Sequence, residues 1–567
     1  MKKKIIIILS AAVLVIILVV VGAGMNFLGK FTGGKAAAKF VSAPITRDKT
    51  VNEKMQEMRS FDSKKITFEP KSESVVDSSQ LGGLKSDSPE SAEDNSKILN
   101  RAIKKAKKGT KIVLPEGKYY LAEPLRVTEK SNLTISSEGK GAVLINAAYS
   151  PFTEAGQKNT PNIFEIFGCE KLRIENLSFD YFSQVTAEGI IVEQTDTATT
   201  FRVYKEYLSG EKTALQGGEK ITSVFTASAD NFKEENWPES PLEIYKKSEE
   251  VFSIPLKIGA VGEKIACRLN SAGLGISYVI NVTNTDGLIL ENLRCYSCPG
   301  GFVLATHGNS DLCFKKLRVE VAEGSERTLG SNEDCLHLRN VAGSLIVEDS
   351  RFYGIGDDAL NIHSALLAVE KAEGNSVFPK KNTPFDGIAF AQCGETVEFF
   401  NSNYESLGFA TVKKVGFSKI TFEDLPEALS SAAYIQNVSR LPDTYVRNCE
   451  IGFARARGLL VQSKNCIIEN CDFRNIRLSG ILAAPDFEYW LEGGFCDNLL
   501  IENNRFKNCA TAGNGMGVIH ISGGHDGVMG YSSCSEGHKN VSILSNRFED
   551  CKAESTRIFN VLNLKEE

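Results

Sequence analysis

The sequence predicts an all-β chain that folds as a right-handed parallel β-helix, a solenoid of stacked coils. An N-terminal capping helix and two small inserted β-barrel-like subdomains complete the predicted architecture. Two observations predict it: a motif that recurs along the chain, and a second set of segments that align at the same spacing. Internal repeats with a period of roughly 20–50 residues are typical of solenoids. Copies of the motif begin at Leu172, Leu288, Leu345, Cys466, Leu499 and Val541.

The motif reads apolar, any residue, apolar, Glu, Asn, two of any residue, then Phe, as in the copy from Leu499 to Phe506. Apolar residues two positions apart predict a strand with one buried face. Asn or Asp at the fifth position predicts a turn, because these residues tolerate left-handed backbone. Spacings near 22–24 residues, and near 33 with a longer loop, suit one coil of a parallel β-helix. Strands of successive coils then stack roughly 4.8 Å apart.

Residues 1–28 predict a transmembrane anchor or signal segment. Lys2 to Lys4 are basic, and Ile5 to Gly22 are apolar or small except for Ser10. This run is long enough to cross a bilayer, and the preceding lysines favour an inside N-terminus and an outside body. A cleaved signal peptide is the alternative. The predicted location is the extracellular face of the membrane, or secretion.

Residues 29–90 are rich in Ser, Lys, Glu and Asp, and we interpret them as a flexible tether. The catalytic body is predicted over 91–560 and opens with a helix from Asp94 to Lys108, which Gly109 ends. A strand follows from Lys111 to Tyr120. Such a helix would cover the exposed sheet end of the first coil.

Two stretches interrupt the repeat. Residues 186–270 and 366–440 alternate apolar and polar residues, as in Glu395–Phe400, without the coil motif. They predict inserted β subdomains, which in solenoids emerge from loops and wall the binding face.

The composition limits the classes of binding partner that we expect. The 567 residues carry a net charge of −6, so no nucleic-acid partner is expected. The 14 cysteines do not have the spacings of a disulfide scaffold or of a zinc site. Several recur at one place in the repeat, which favours buried free thiols. The sequence leaves a homo-oligomer open.

Two segments that align in register contain the acidic residues that we expect to be functional. Shifting Asn332–Arg339 by 24 residues onto Gly356–His363 places Asp334 on Asp358 and Leu336 on Leu360. If the two strands belong to neighbouring coils, Asp334, Asp357 and Asp358 meet at one place. Asp-Asp in a turn is ordinarily a backbone preference. However, like charges stacked across adjacent strands destabilise a sheet, so a bound cation or a function must retain all three.

Clustered carboxylates suit glycosidic bond cleavage. Crowding keeps one of them protonated, which makes a general acid, while an ionised neighbour activates water. The separation of the carboxyl groups decides between a retaining and an inverting mechanism, and sequence does not measure it.

Seven further residues are predicted to bind substrate. His337, Asn361 and His363 have outward parity beside the acids, although a lone histidine is usually structural. Arg457 falls in the column of Asp334 and Asp358, where it binds substrate or holds a carboxylate ionised, a surface salt bridge being the alternative. Trp490 is a candidate because aromatic faces stack on sugar rings, and a role in packing is the alternative. The remaining candidates are Gln462 and Glu492.

The opening segment resembles pectin-lyase-like β-helix proteins, and Asn-x-Asp followed by Gly-Asp-Asp resembles polygalacturonases of glycoside hydrolase family 28. A closer resemblance is to family 110, the α-1,3-galactosidases. The matching segments are Asn332–His337, Asp357–His363, Arg457–Gln462 and Trp490–Gly493. The resemblance implies inverting, exo-acting hydrolysis of terminal α-1,3-linked galactose by Asp334, Asp357 and Asp358. Within this carry-over we favour the Asp357–Asp358 pair for holding the water and Asp334 as the proton donor. It implies no metal and no cofactor, and a galactose-terminated oligosaccharide or polysaccharide as partner.

Three rivals stay open at this stage. A polygalacturonase-like hydrolase would use the same acids on another sugar. A polysaccharide lyase would use them to bind calcium and would need a basic proton acceptor, for which Arg339 and Arg457 are available. A surface adhesin would bind glycans without turnover.

Overall fold

A computed structural model describes most of the chain beyond residue 73. The described residues are 74–77, 79–148, 162–183, 186–207, 215–229, 231–269, 278–380, 390–423, 425, 429–523 and 537–567. Their stacked parallel sheets confirm the predicted parallel β-helix.

Three parallel sheets form the faces of the β-helix. The first contains twelve strands: Ser74–Val76, Thr110–Leu114, Ser131–Ser137, Glu170–Glu175, Asp286–Glu291, Asn309–Lys315, Val341–Glu348, Asp443–Arg447, Asn465–Glu469, Asn498–Glu502, His538–Leu544 and Val561–Glu566. The second contains ten: Gly117–Leu121, Ala142–Asn146, Leu177–Tyr181, Arg294–Cys295, Arg318–Val319, Arg351–Ile355, Glu450–Ala454, Asp472–Ile476, Arg505–Cys509 and Arg547–Glu549. The third, which carries the acids, has as its parallel strands Leu125–Thr128, Phe164–Phe167, Tyr278–Thr283, Gly301–Thr306, Leu336–Arg339, Leu360–Glu373, Leu459–Val461, Ile481–Ala483, Ile519–Ile521 and Thr556–Ile558.

The register of the third sheet is the one that the aligned segments predict. Leu336 pairs with Leu360 and Leu338 with Ile362 in a parallel ladder. The next coil continues it, with Leu360 opposite Leu459. All five side chains are fully buried. Because side chains alternate along a strand, His337 and Asn361 point to the opposite, outward face.

The turn after each motif strand also follows the prediction. Asn292, Asn470 and Asn503 adopt left-handed backbone, with φ between 50° and 54°. Left-handed φ is unfavourable for most L-residues, and Asn is among those that tolerate it best. The Asn of the motif is therefore a requirement of the corner of the coil.

The capping helix, α1, spans Ala92–Lys105, three residues shorter at its C-terminal end than predicted. Leu99 and Ile103 are buried in the core of the first coils. The Asn95 amide donates to the carbonyl oxygens of Lys85 and Tyr120, so the helix is fastened to the first coil on both sides.

The predicted tether, 29–90, ends earlier than the sequence suggested. Ser74–Val76 is a strand paired with Thr110–Leu114, Leu81 is buried, and a 3-10 helix spans Pro89–Ser91. The polar composition hid this coil because only a few apolar residues anchor it. At the other end, the last coil extends past residue 560 to Glu566.

The predicted anchor, residues 1–28, lies outside the described residues, as does the tether up to residue 73. In the part of the chain that the structure describes, no helix combines the length and apolar character needed to cross a membrane. Membrane anchoring and location therefore stay predictions.

The first insertion is an antiparallel sheet. Its eight strands pair in an open order among the described residues, and a short 3-10 helix spans Lys205–Tyr207. The strands are Thr186–Gln194, Thr199–Val203, Lys220–Ala227, Phe232–Asn236, Leu242–Glu243, Tyr245–Lys246, Val251–Ile254 and Lys264–Leu269. This sheet has its own hydrophobic core, which includes Phe201, Ile221 and Phe252.

The second insertion is a closed barrel of six antiparallel strands. Leu360–Glu373 continues from the β-helix into the barrel and closes it by pairing at both edges. The other strands are Ser376–Pro379, Thr396–Phe400, Ser406–Val415, Ile420–Phe422 and Tyr434–Asn437, followed by the 3-10 helix Val438–Arg440; a further 3-10 helix is Leu429–Ser431. Because one strand belongs to both sheets, the barrel is joined rigidly to the acid-bearing coil.

Candidate active site

Three carboxylates meet at the start of two neighbouring strands. Asp334 lies just before Leu336–Arg339, and Asp357 and Asp358 lie just before Leu360–Glu373. One oxygen of each carboxylate lies within 4.8 Å of the others. We call Asp334, Asp357 and Asp358 the acid cluster. The in-register parallel pairing brings them together, as the aligned segments predicted.

Each acid has its own basic partner. Asp358 accepts from the backbone N–H and from Nη1 of Arg457, both at 2.8 Å. Asp357 Oδ1 lies 2.8 Å from Arg455 Nη2, and Asp334 Oδ2 lies 2.9 Å from His337 Nδ1. Matching charges offset the repulsion that stacked carboxylates would otherwise cause.

The electrostatics of Asp334 and Asp358 diverge. Burial alone would raise the pKa of Asp334, but hydrogen bonds from His337, the Asn361 amide and the Asp358 backbone hold it below its usual value. Burial raises the pKa of Asp358 to about 7, with Asp334 and Asp357 adding to the rise against the pull of Arg457. One carboxylate is therefore ionised near neutrality while its neighbour holds a proton, the arrangement that separates base from acid.

Two histidines form a chain that ends on Asp334. His363 Nδ1 donates to the Ser364 carbonyl oxygen at 3.1 Å, so its Nε2 is free to accept. His337 Nε2 lies 3.1 Å from that nitrogen, and His337 Nδ1 donates to Asp334. Burial and the neighbouring His337 lower the pKa of His363 well below its usual value. Burial opposes protonation of His337, yet pairing with Asp334 raises its pKa, so His337 is the charged ring.

Glu492 reaches the same place from a later coil. The short strand Glu492–Gly493 pairs antiparallel with Ser364–Ala365. Its Oε1 lies 3.4 Å from Asn361 Nδ2 and 3.5 Å from His363 Nε2. Burial raises the pKa of Glu492 to about 7. The structure therefore brings together His337, Asn361, His363 and Glu492, all predicted from sequence.

Several buried polar groups on this face have no partner among the described residues. Gln462 follows Val461, the strand partner of Ile362, and is fully buried, yet neither amide atom is hydrogen-bonded. The same holds for Asn361 Oδ1 and for Nε of Arg339, which pairs with His363 across the strands. A buried polar group without a partner costs about 1–3 kcal/mol, so these groups favour a polar ligand.

Trp490 does not join the acid cluster. It lies in the loop between Ile481–Ala483 and Glu492–Gly493, is 64 % exposed, and packs edge-on against Tyr489. Its loop ends on Glu492, so Trp490 lies near the site in sequence, but among the described residues its ring packs against the ring of Tyr489 only. The predicted sugar-stacking role stays a prediction.

Residues that the sequence reading missed hold the other side of the acid cluster. Arg455 pairs with Asp357 and with Glu235 of the first insertion, and it donates to the Gly356 carbonyl. Arg268, also from the first insertion, donates to Asn332 Oδ1 at 2.8 Å. Strand parity places Arg455 beside Arg457 and would have found it. Arg268 lies 64 residues before Asn332 and left no local signal.

Two groups of described residues are spaced to hold a metal ion: the acid cluster, and His337 with His363 and Glu492. Their donor sets fit poorly. Metals bind the neutral imidazole, whereas both nitrogens of His337 act as donors. In the acid cluster, Arg455, Arg457 and His337 already supply the counter-charge.

The chain is similar to several known proteins. A family model described as a right-handed β-helix region matches residues 381–564. The chain is similar to α-1,3-galactosidase B of Bacteroides thetaiotaomicron, with 23% identity over 75% of this chain and 74% of that protein. It is 30% identical to α-1,3-galactosidase B of Akkermansia muciniphila over 37% of this chain and 28% of that protein. Among solved structures, a family 28 exopolygalacturonase of Yersinia enterocolitica aligns with a TM-score of 0.36 at 10% identity, covering 87% of this chain and 78% of that one.

Proposed function

We propose that this chain is a glycoside hydrolase of the α-1,3-galactosidase family that removes terminal α-1,3-linked galactose, because its sequence is similar to α-1,3-galactosidases over much of its length. The alignment spans 74% of one relative and only 28% of the other, so substrate and activity are proposed for this chain. The observation that carries the proposal is the acid cluster, in which Asp334 and Asp358 have opposite pKa shifts.

The direction of the strands supports exo-action. Along each strand the acids come first, then His337 and Asn361, then Arg339 and His363. Beyond His363, the strand Leu360–Glu373 enters the closed barrel of the second insertion. We place the galactose over the polar residues between the acids and the barrel. In this proposal the barrel closes the site on that side, which would admit only a terminal sugar.

The ionisation of the acids assigns their roles in the proposed mechanism. Asp334, whose pKa is lowered, takes a proton from water as the water oxygen attacks the anomeric carbon. The Asp357–Asp358 pair supplies the proton that the glycosidic oxygen takes up as its bond to the anomeric carbon breaks. Asp358, whose pKa burial raises to about 7, carries this proton, and Asp357, the most exposed side chain of the three at 31%, passes it to the leaving oxygen. The sequence had favoured Asp334 as the donor, and its lowered pKa argues for the reverse.

Water is the proposed nucleophile, which gives inversion. Asp334 Oδ2 accepts from His337 and Asn361, whereas Oδ1 accepts only from the Asp358 backbone, so Oδ1 retains a lone pair for the attacking water. Both oxygens of Asp358 are engaged by Arg457. The contacts within 4.8 Å are closer than the roughly 6.5–9.5 Å usual for inverting pairs. We propose inversion because the resemblance to family 110 implies it, and the anomer that is released first decides the question.

The test is an incubation of the full chain in mild detergent with α-1,3-galactosyl oligosaccharides, followed by proton NMR. We expect free galactose that appears first as the β-anomer. First appearance of the α-anomer would contradict inversion, and no galactose from any α-galactoside would remove the hydrolase proposal. An unsaturated product absorbing in the ultraviolet would instead indicate a lyase. Tight glycan binding without turnover, unchanged in Asp358→Asn, would indicate an adhesin.

The partner is proposed to be a galactose-terminated glycan. An extracellular location and a membrane anchor rest on residues 1–28 alone and keep the status of predictions. We propose no nucleic-acid partner, given the balanced charge.

A further inference from the structure

The indole ring of Trp237, in the first insertion, packs against the guanidinium groups of two arginines beside the acid cluster. The Arg268 guanidinium is 5.3 Å and the Arg455 guanidinium 5.5 Å from the centre of the indole ring. Both also lie just over 5 Å from the ring of Phe225, which meets Trp237 edge-on at 5.8 Å. Cation–π contacts of this kind fix the orientation of an aromatic ring.

The same two arginines connect Trp237 to the acids. Arg455 pairs with Asp357, the proposed proton donor. Arg268 donates to Asn332 and lies 3.7 Å from Glu333, immediately before Asp334. Trp237 is therefore one side chain away from the acid cluster, on the side opposite to His363 and the second insertion.

The exposure of Trp237 does not fit a packing role. Phe225 is 1 % exposed and both arginines 7 %, whereas Trp237 is 52 % exposed. A tryptophan that only filled space over Phe225 would be covered as its neighbours are. Instead, half of an immobilised indole is open to water. An exposed, oriented aromatic face next to glycosidase acids suits the apolar face of a sugar ring.

We propose that Trp237 forms the acceptor subsite, where it stacks on the sugar ring that carries the leaving oxygen. This rests on the proposed hydrolase function, since the polar residues beyond the acids hold the galactose and Asp357 faces the leaving group. The first insertion thereby selects the sugar to which galactose is linked, and Arg268 and Arg455 act as positioning residues for the indole.

The experiment compares two substrates in Trp237→Ala. Galactosyl-α-1,3-galactose fills both subsites, whereas α-galactosyl fluoride has no acceptor ring. An aromatic contact of about 0.5–1.5 kcal/mol predicts a fall of roughly 2- to 10-fold in kcat/KM for the disaccharide. We expect that loss to lie mainly in KM, with the fluoride unaffected and Trp237→Phe restoring most of the disaccharide activity. An equal loss on both substrates, or no loss on the disaccharide, would overturn the subsite.

Phe417→Ala is the matched control, because Phe417 is an 88 % exposed aromatic in the turn between Ser406–Val415 and Ile420–Phe422. We expect Phe417→Ala to leave kcat/KM unchanged for both substrates. Thermal unfolding of both variants shows whether a loss reflects the fold, and a stable Trp237→Phe keeps the comparison decisive if Trp237→Ala does not fold.

A binding measurement separates this proposal from the hydrolase proposal. The chain has two tryptophans, so Trp490→Phe leaves Trp237 as the sole indole. In Trp490→Phe combined with Asp357→Asn, we expect the disaccharide, but not galactose, to shift the emission. If the wild type hydrolyses neither substrate, the hydrolase proposal falls and this titration alone decides the subsite. Emission unchanged at saturating disaccharide would refute it.

Discussion

The hydrogen bond between His337 and Asp334 sets the acidic limb of the pH profile. Asp334 must be ionised to activate water, and His337 Nδ1, 2.9 Å from its Oδ2, helps to hold its pKa down. A charged donor contributes about 1.5–3 kcal/mol and a neutral one about 1 kcal/mol. His337→Gln should therefore raise the pKa of Asp334, because it replaces the charged donor with a neutral one and loses about 1 kcal/mol of stabilisation of the carboxylate. His337→Ala, which removes the donor as well, should raise the pKa further.

The assay is kcat/KM for α-galactosyl fluoride against pH, because kcat/KM reports the ionisations of the free enzyme. We expect the acidic limb to move to higher pH in the order wild type, His337→Gln, His337→Ala. His363→Gln serves as the control, since His363 is neutral and contacts His337 rather than Asp334. A limb that stays in place, or that moves to lower pH while the plateau falls, would refute Asp334 as the base.

Four further predictions concern the acids, the pH dependence of stability, the core and metals. Asp357→Asn should lower kcat by roughly 100- to 10,000-fold on a disaccharide and far less on an aryl galactoside with an acidic leaving group, whereas Asp334→Asn should impair both. Rescue of Asp334→Asn instead of Asp357→Asn by the aryl galactoside would exchange the two roles. Because burial raises the pKa of Glu492 from 4.5 to about 7, ionisation of Glu492 destabilises the fold increasingly between pH 4.5 and 7. Glu492→Gln should therefore be more stable in urea at pH 8 by about 3 kcal/mol, but not at pH 4. Phe506, fully buried in a stack with ring centres 4.7 and 5.2 Å away, should cost about 3–5 kcal/mol on mutation to Ala, against near zero for exposed Phe417. Dialysis against a chelator should leave hydrolysis unchanged. Loss of activity that calcium or zinc restores would contradict the interpretation that Arg455, Arg457 and His337, rather than a metal ion, neutralise the acid cluster.

The repeat made the β-helix predictable. Alternating apolar residues and a turn Asn are local requirements, so each coil states its own conformation, as Asn470 and Asn503 do with left-handed φ. The register followed as well, because a slip of one residue would turn Leu336 and Leu360 outward. That register alone placed Asp334 beside Asp358. The structured segment before α1 was not predicted, because its contacts, such as those of Asn95, join segments that carry no repeat.

The sequence by itself therefore determined the coil, the pairing of the acids and the outward row of His337, Asn361 and His363. Only the tertiary structure decided which acid is ionised, since this depends on burial and on Arg457, Arg455 and His337 at distances that no pattern records. It also brought Arg268 next to Asn332 and placed the Trp237 ring against Arg268 and Arg455, while Trp490 lies in an exposed loop. The physical reason is range: strand pattern and turn preference act between near neighbours, whereas pKa and substrate contacts depend on groups that folding brings together from distant segments.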